Sequence, residues 1–262
     1  MELGIRSKVA LVTASSKGIG KGVAISLGRE GAKVIISSSN AQNLENTKKE
    51  LAEEGIEVYA IPCDLSKKSD IERLGKEISE KFNGVDIFVF NTGGPKAGDF
   101  FDITEEDWYY GFELVLMSAV RLTRYFLPKM LEKGWGRIVY LTSMAVKEPL
   151  DGLLLSNVFR TGVNALSKSL SRTIRKDNVT FNVICTGNIY TERAIRLLEI
   201  KSSRSGKTFE EAKTEVESSI PLGRYGKVEE IANFVTFLCS EKASYINGAC
   251  IQVDGGFIKG IL

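Results

Sequence analysis

The 262-residue chain contains no histidine. That absence removes the commonest general base and metal ligand, and with it Ser/His and Cys/His nucleophilic catalysis. Any acid or base has to be Tyr, Lys, Asp, Glu, Cys or water. Cysteine is scarce. Cys63, Cys185, Cys239 and Cys250 stand far apart and form no CxxC pair, so zinc is not expected and the thiols read as small core residues. No apolar run approaches the length that spans a bilayer, and the start, Met-Glu-Leu-Gly-Ile-Arg, lacks a signal-peptide core. A surplus of one charge is missing too: 35 Lys and Arg face 33 Asp and Glu. Such a balance gives no basic patch for nucleic acid and no acidic tail. A soluble, cytoplasmic protein is expected, with a small-molecule substrate and neither nucleic acid nor membrane as partner. Linkers rich in Pro, Gly or Ser, low-complexity tracts and long repeats are also absent, so one domain over 1–262 is expected.

What is present is alternation. Short runs rich in Val and Ile at 9–13, 33–37, 57–61, 86–90, 137–141, 180–184 and 250–253 read as strands buried on both faces. Helical patterns lie between them at 18–30, 41–54, 67–82, 105–132, 152–176 and 227–239. Such alternation implies an α/β fold with a parallel sheet of about seven strands and helices on both faces. The segment 192–222 breaks the rhythm. It is polar and charged, and it directly follows the sixth strand, so a lid over the sheet's C-terminal edge is expected.

The first strand runs into Thr13-Ala-Ser-Ser-Lys-Gly-Ile-Gly20 and then a helix. A tight turn feeding a helix N-terminus is an anion site, because free backbone N–H groups and the helix dipole both favour a phosphate. Further motifs fall at strand ends: Cys63-Asp64-Leu65, Phe90-Asn91-Thr92-Gly93-Gly94, Ile138-Val-Tyr-Leu-Thr-Ser143 and Asn182-Val-Ile-Cys-Thr-Gly-Asn-Ile-Tyr-Thr191. Open parallel sheets bind ligands at that edge.

Together with Pro221-Leu-Gly-Arg-Tyr-Gly226 and Val253-Asp-Gly-Gly256, these motifs make the chain resemble the short-chain dehydrogenase/reductase family along nearly its whole length. The resemblance implies a single-domain, doubly wound Rossmann fold, a nicotinamide cofactor and a homotetramer. It implies that Thr13, Ser15, Ser16, Lys17, Gly18, Ile19 and Gly20 line the diphosphate and adenosine ribose. Asp64 and Leu65 would meet the adenine. Asn91, Thr92 and Gly93 would pass under the nicotinamide-side ribose, and Gly187, Ile189 and Thr191 would hold the carboxamide. Two departures are mild: Ala14 replaces the family's first glycine and Thr186 its proline. An NAD-specific site places a carboxylate at the end of the second strand. Here that stretch is Ser37-Ser38-Ser39-Asn40. Ser38, Ser39 and Lys17 suit a 2′-phosphate, so NADP(H) is preferred, with NAD(H) the alternative.

The catalytic positions depart further. The family's working groups are Asn, Ser, Tyr and Lys. Ser143 matches the Ser, but Val115, Ser156 and Arg160 stand where the others belong. Positions 156 and 160 share one helix face. A serine hydroxyl is a poor acid and Arg160 keeps its proton, so Arg160 can bind the cofactor ribose or steady an oxyanion but cannot relay protons. Three functions follow. The first is an oxidoreductase whose Ser143, Ser156 and Arg160 work with a substitute acid: Tyr190, Lys96, Glu148 or water. Tyr140 alternates with Ser143 along its strand and should face away. The second is a cofactor-binding sensor or inactive subunit, and the third a lyase or isomerase. The apolar stripe Phe159, Val163, Leu166, Leu170 and Ile174 faces either the core or a partner. The apolar C-terminal stretch 249–262 is a buried edge strand or a subunit contact.

Overall fold

The computed structural model describes residues 2–174 and 178–261. Seven strands form one parallel sheet in the order β3-β2-β1-β4-β5-β6-β7. They are β1 (Val9–Val12), β2 (Lys33–Ser38), β3 (Val58–Pro62), β4 (Ile87–Phe90), β5 (Gly136–Leu141), β6 (Val179–Thr186) and β7 (Cys250–Val253). The side chains of β4 and β5 are buried throughout. Their alternation shows in where each residue goes. Leu11, Phe88 and Phe90 enter one apolar cluster; Ala10, Val12, Ile87 and Val89 enter the other. Each fully buried Leu, Ile or Phe contributes about 1.5–3 kcal/mol, so both faces reward the same strand sequence.

Helices α1 (Gly18–Arg29), α2 (Ala41–Glu53), α3 (Lys68–Phe82), α4 (Glu105–Gly111), α5 (Ser118–Lys133), α6 (Leu154–Thr173), α7 (Glu192–Ser205), α8 (Phe209–Ser218) and α9 (Val228–Leu238) complete the chain. Val23 and Leu27 of α1 pack with Ile231 and Val235 of α9 on one face, and Phe126 of α5 with Val163 of α6 on the other. The stripe on α6 therefore faces the core: Phe159 and Val163 are buried, and Leu166, Leu170 and Ile174 lie against the same cluster. The end of the helix expected over 152–176, residues 175 and 176, lies outside the described residues.

The helix expected over 105–132 is not uniform. A π-helical turn, Phe112–Met117, joins α4 to α5 and holds Val115 wholly buried. The turn disturbs the backbone ladder around Leu114, whose carbonyl accepts from the hydroxyls of Ser118 and Thr92. The segment 192–222 contains α7 and α8, closed on a small cluster of Leu198, Ala212 and Tyr225. At the C-terminus, β7 is half-buried, Ile258 is buried and Ile261 is exposed. Leu262 lies outside the described residues.

Candidate active site

The strand order reverses between β1 and β4, so their C-terminal ends part and leave a crevice. Two locks hold it open. Thr13 Oγ1 donates to Asn91 O at 2.6 Å and accepts from Asn91 N at 2.9 Å, tying β1 to β4. Ser15 Oγ donates to Val12 O at 2.7 Å and accepts from Ser37 N at 3.0 Å, tying β1 to β2. At Gly20 a Cβ would lie 2.5 Å from Ala14 O and 2.8 Å from Asn91 Nδ2, so only glycine lets α1 start this close to the strands.

A cleft of about 650 Å³ opens from this crevice. Lys17, Gly18, Ile19, Asn91, Thr92 and Gly93 line one side. Ser143, Ser156 and Arg160 line the floor, and Gly187, Ile189 and Thr191 line the far side with the start of α7. The remaining sequence candidates do not line it. Thr13, Ser15 and Gly20 brace the turn from within. The Ser15 hydroxyl is committed to the backbone of Val12 and Ser37. Ser16 Oγ donates to Ser38 Oγ at 2.9 Å at the β1–β2 end, beside exposed Ser39. Asp64 accepts from Ser66 N at 3.0 Å and Ser66 Oγ at 2.7 Å. The Leu65 side chain is buried in the core, which leaves only its backbone for an adenine.

The Lys17 ammonium is 2.8 Å from Glu192, across the cleft. The pair bridges two helix N-termini. That of α1 has no side-chain cap, and that of α7 is capped by Thr191 Oγ1. Lys17 is the first cause holding the Glu192 carboxyl below the usual carboxylate range.

Ser156 and Arg160 are both buried, and Arg160 Nε donates to Ser156 Oγ at 3.1 Å. Arg160 Nη1 reaches Leu141 O at 3.4 Å. Burial first, then the like charge of Arg193, pushes Arg160 down to about 10, so it stays charged at neutral pH. Ser143 Oγ accepts from Ala145 N at 3.2 Å.

Three substitute acids lie off the cleft. Tyr190 is half-exposed and packs edge-on against Tyr225, 5.6 Å between centroids. Lys96 is paired with Asp107 at 2.6 Å. Glu148 is exposed and lies outside the lining. Tyr140 faces away as expected: its hydroxyl meets Thr123 Oγ1 at 2.7 Å, and burial raises its pKa above the ordinary phenol range. Sequence reasoning missed Tyr225 and Arg193, which also line the cleft. Burial, with Glu217 and Tyr190, pushes the Tyr225 phenol up to about 12.

Residues 13–258 match the family described as enoyl-(acyl carrier protein) reductase. The chain is 36% identical to the uncharacterised oxidoreductase YvrD of Bacillus subtilis (strain 168), over all of both chains. It is 33% identical to 3-oxoacyl-[acyl-carrier-protein] reductase FabG of Aquifex aeolicus (strain VF5), over 98% of this chain and 99% of that one. The chain belongs to the short-chain dehydrogenase/reductase family. The crystal structure of L-sorbose reductase from Gluconobacter frateurii, complexed with NADPH and L-sorbose, superposes with a TM-score of 0.95 at 32% identity over all of both chains. This short-chain dehydrogenase/reductase is accordingly an oxidoreductase of the CH–OH/carbonyl class. Its cleft suits a dinucleotide: the first turn of α1 is free of side-chain caps, and close packing at Gly20 brings that turn onto the crevice. Among the described residues no cluster of His, Cys, Asp or Glu is arranged to hold a metal, and no helix is long and apolar enough to cross a membrane.

Proposed function

We propose that the protein is an NADP(H)-dependent reductase or dehydrogenase that works without a phenolic acid. The observation that carries this reading is the Ser156–Arg160 contact in the cleft floor, where the family keeps a phenol and an ammonium. The bound dinucleotide would supply or accept the hydride. The chain's own groups then have distinct tasks. Ser156 Oγ accepts from the guanidinium, which leaves its hydroxyl proton free to donate to a substrate oxygen. Ser143 offers a second hydroxyl at the same floor. Arg160 supplies a fixed positive charge, which favours oxygen as it gains negative charge. The final proton comes from water.

The preference for NADP(H) rests on the absence of a carboxylate at the end of β2 and on the hydroxyls of Ser16, Ser38 and Ser39. Lys17 joins them by leaving Glu192. An exposed ion pair is worth about 1 kcal/mol or less, so the exchange is easy. Asn91, Thr92, Gly93, Gly187, Ile189 and Thr191 would seat the nicotinamide half. We also propose that 192–222 is the lid and that the protein assembles as a homotetramer. Calorimetric titration with NADP+ and NAD+ tests the cofactor: NADP+ should bind at least tenfold more tightly, and about 1.4 kcal/mol is that factor. Tighter NAD+ binding would overturn the preference.

A further inference from the structure

Positive charge in the cleft wall is not answered by the chain. Lys17 and Lys201 line the cleft and are paired, with Glu192 and Glu215. Arg160, Arg193 and Arg196 also line it, and none of the three has a carboxylate partner within salt-bridge distance among the described residues; Arg160 and Arg193 are the two that face each other closely enough to interact. Arg160 is only 8% exposed. Its Nε is committed to Ser156 and its Nη1 makes a long contact with Leu141 O, whereas Nη2 has no hydrogen-bond partner among the described residues. Arg193 comes down from the first turn of α7. Its guanidinium lies against Gly94, so closely that a Cβ there would stand 2.2 Å from Nη2. Any side chain at 94 would displace it. The two like charges are close enough to repel, which is one cause of the depressed Arg160 pKa. Arg160 is buried and unpaired, which is costly, whereas Arg193 is exposed; an anion seated between the two removes the cost at Arg160.

The cofactor's phosphates do not account for Arg160. Their place is the α1 N-terminus beside β1, whereas Arg160 contacts the end of β5, two strands along the sheet. Neighbouring strands are about 4.8 Å apart, which puts roughly 10 Å between these positions. Arg160 instead shares the floor with Ser143 and Ser156, where the reacting oxygen belongs. Arg160 offers Nη2, and Arg193, with no hydrogen-bond partner among the described residues, offers its open fork; together they suit the two oxygens of a carboxylate. Leu150, Leu153 and Leu197 line the cleft nearby and suit an apolar body.

From this arrangement we infer that the substrate is an oxo acid, or in reverse its hydroxy acid, with its carboxylate held by Arg160 and Arg193. The inference rests on the hydride-transfer reading above. In reduction the C=O π bond breaks, a C–H bond forms with the hydride and an O–H bond with a proton from water, and the carboxylate is unchanged. Arg193 is then a specificity residue that arrives with the lid.

NADPH oxidation should be measured with short oxo acids, their methyl esters and phosphorylated ketones, in the wild type and in Arg193→Gln. The acids should exceed their esters in kcat/KM by about 30-fold or more, as removal of one partner of a buried charge pair implies. In Arg193→Gln that preference should collapse through a raised KM for the acid. Equal use of acids and esters, or superior phosphorylated ketones, overturns the assignment. A second measurement does not need turnover: calorimetric titration of the NADP+-loaded protein with a saturated carboxylate of the same length. Binding that Arg193→Gln weakens at least tenfold upholds the anion site even if no carbonyl is reduced, a result that would sink the hydride-transfer reading alone. Absence of carboxylate binding overturns the site.

Discussion

Arg160 places a charge where folding alone would not. Its ordinary pKa is depressed by burial and by Arg193, so the charged form is penalised below about 10 and relieved as pH rises through that value. Substitution by an apolar side chain removes the penalty. Arg160→Met should raise the Tm of the free protein by a few degrees, since about 1 kcal/mol moves Tm by 2–4 °C at this size. The same variant should lose reduction by about 100-fold or more, as loss of one electrostatic donor does in other sites. Thermal melts and steady-state rates check both, and a destabilised or active variant contradicts the role. The wild-type rate should show no phenol-type ionisation between about pH 6 and 9 and should fall above about 10, as the guanidinium loses its proton. Ala14 carries a second local cost. Its φ of +46° lies in the left-handed region, where glycine is at ease. Ala14→Gly should therefore stabilise the fold or leave it unchanged, measured by urea unfolding.

The dithiol Cys185–Cys250 is a residue-scale contact set by register. The two sulfurs are 3.3 Å apart, yet Cys250 pairs with Val183 and Cys185 with Gln252. An offset of two residues puts their Cα atoms about 8 Å apart, beyond the reach of a disulfide. The hydrogen bond shared with Cys185, and then Lys147, lowers the Cys250 thiol pKa below its ordinary value. Cys250 should alkylate before Cys185, and mass spectrometry after oxidised glutathione should find no bond between them.

Among elements, those with two buried faces were legible in the sequence. The strands read as Val- and Ile-rich runs because both sheet faces demand apolar residues, and each observed strand falls within two residues of its expected bounds. The π turn was not legible. It buries Leu114 and Val115 in the cluster that also holds Leu155, Phe159 and Val163 of α6, a tertiary setting that local propensity does not encode. Val115→Asn would restore the family's residue but bury an amide in an apolar site, at a cost of about 1–3 kcal/mol and with no gain in rate. The helices of 192–222 were hidden for the opposite reason. They are polar, and apart from Leu198 and Ala212 they bury little. Arg193 was invisible because its meaning depends on α7 folding back over Gly94. Hydrogen exchange should be faster over 192–218 than over β4–β6 and should slow on addition of NADP+, as a lid requires. Equal protection without cofactor would contradict a lid.

At the scale of the molecule, sheet and site are linked by one event, the reversal of strand order between β1 and β4. The motifs at strand ends were readable because that edge gathers them. Which side chains face the cleft was not: Ser15 and Leu65 turn inward, and Lys17 turns to Glu192. The half-buried edge strand β7 and the exposed Ile261 suit contact with further copies, and sedimentation equilibrium should give a tetramer mass. Whether the altered floor still supports catalysis is decided by following the hydride itself. The protein should be incubated with NADPH deuterated at the transferring position and a panel of oxo acids, ketones and aldehydes. Deuterium at the carbinol carbon of a product, lost in Arg160→Met, is the expected result. Tight NADPH binding with no deuterium transferred to any carbonyl would contradict it and leave a protein that holds the cofactor without using it.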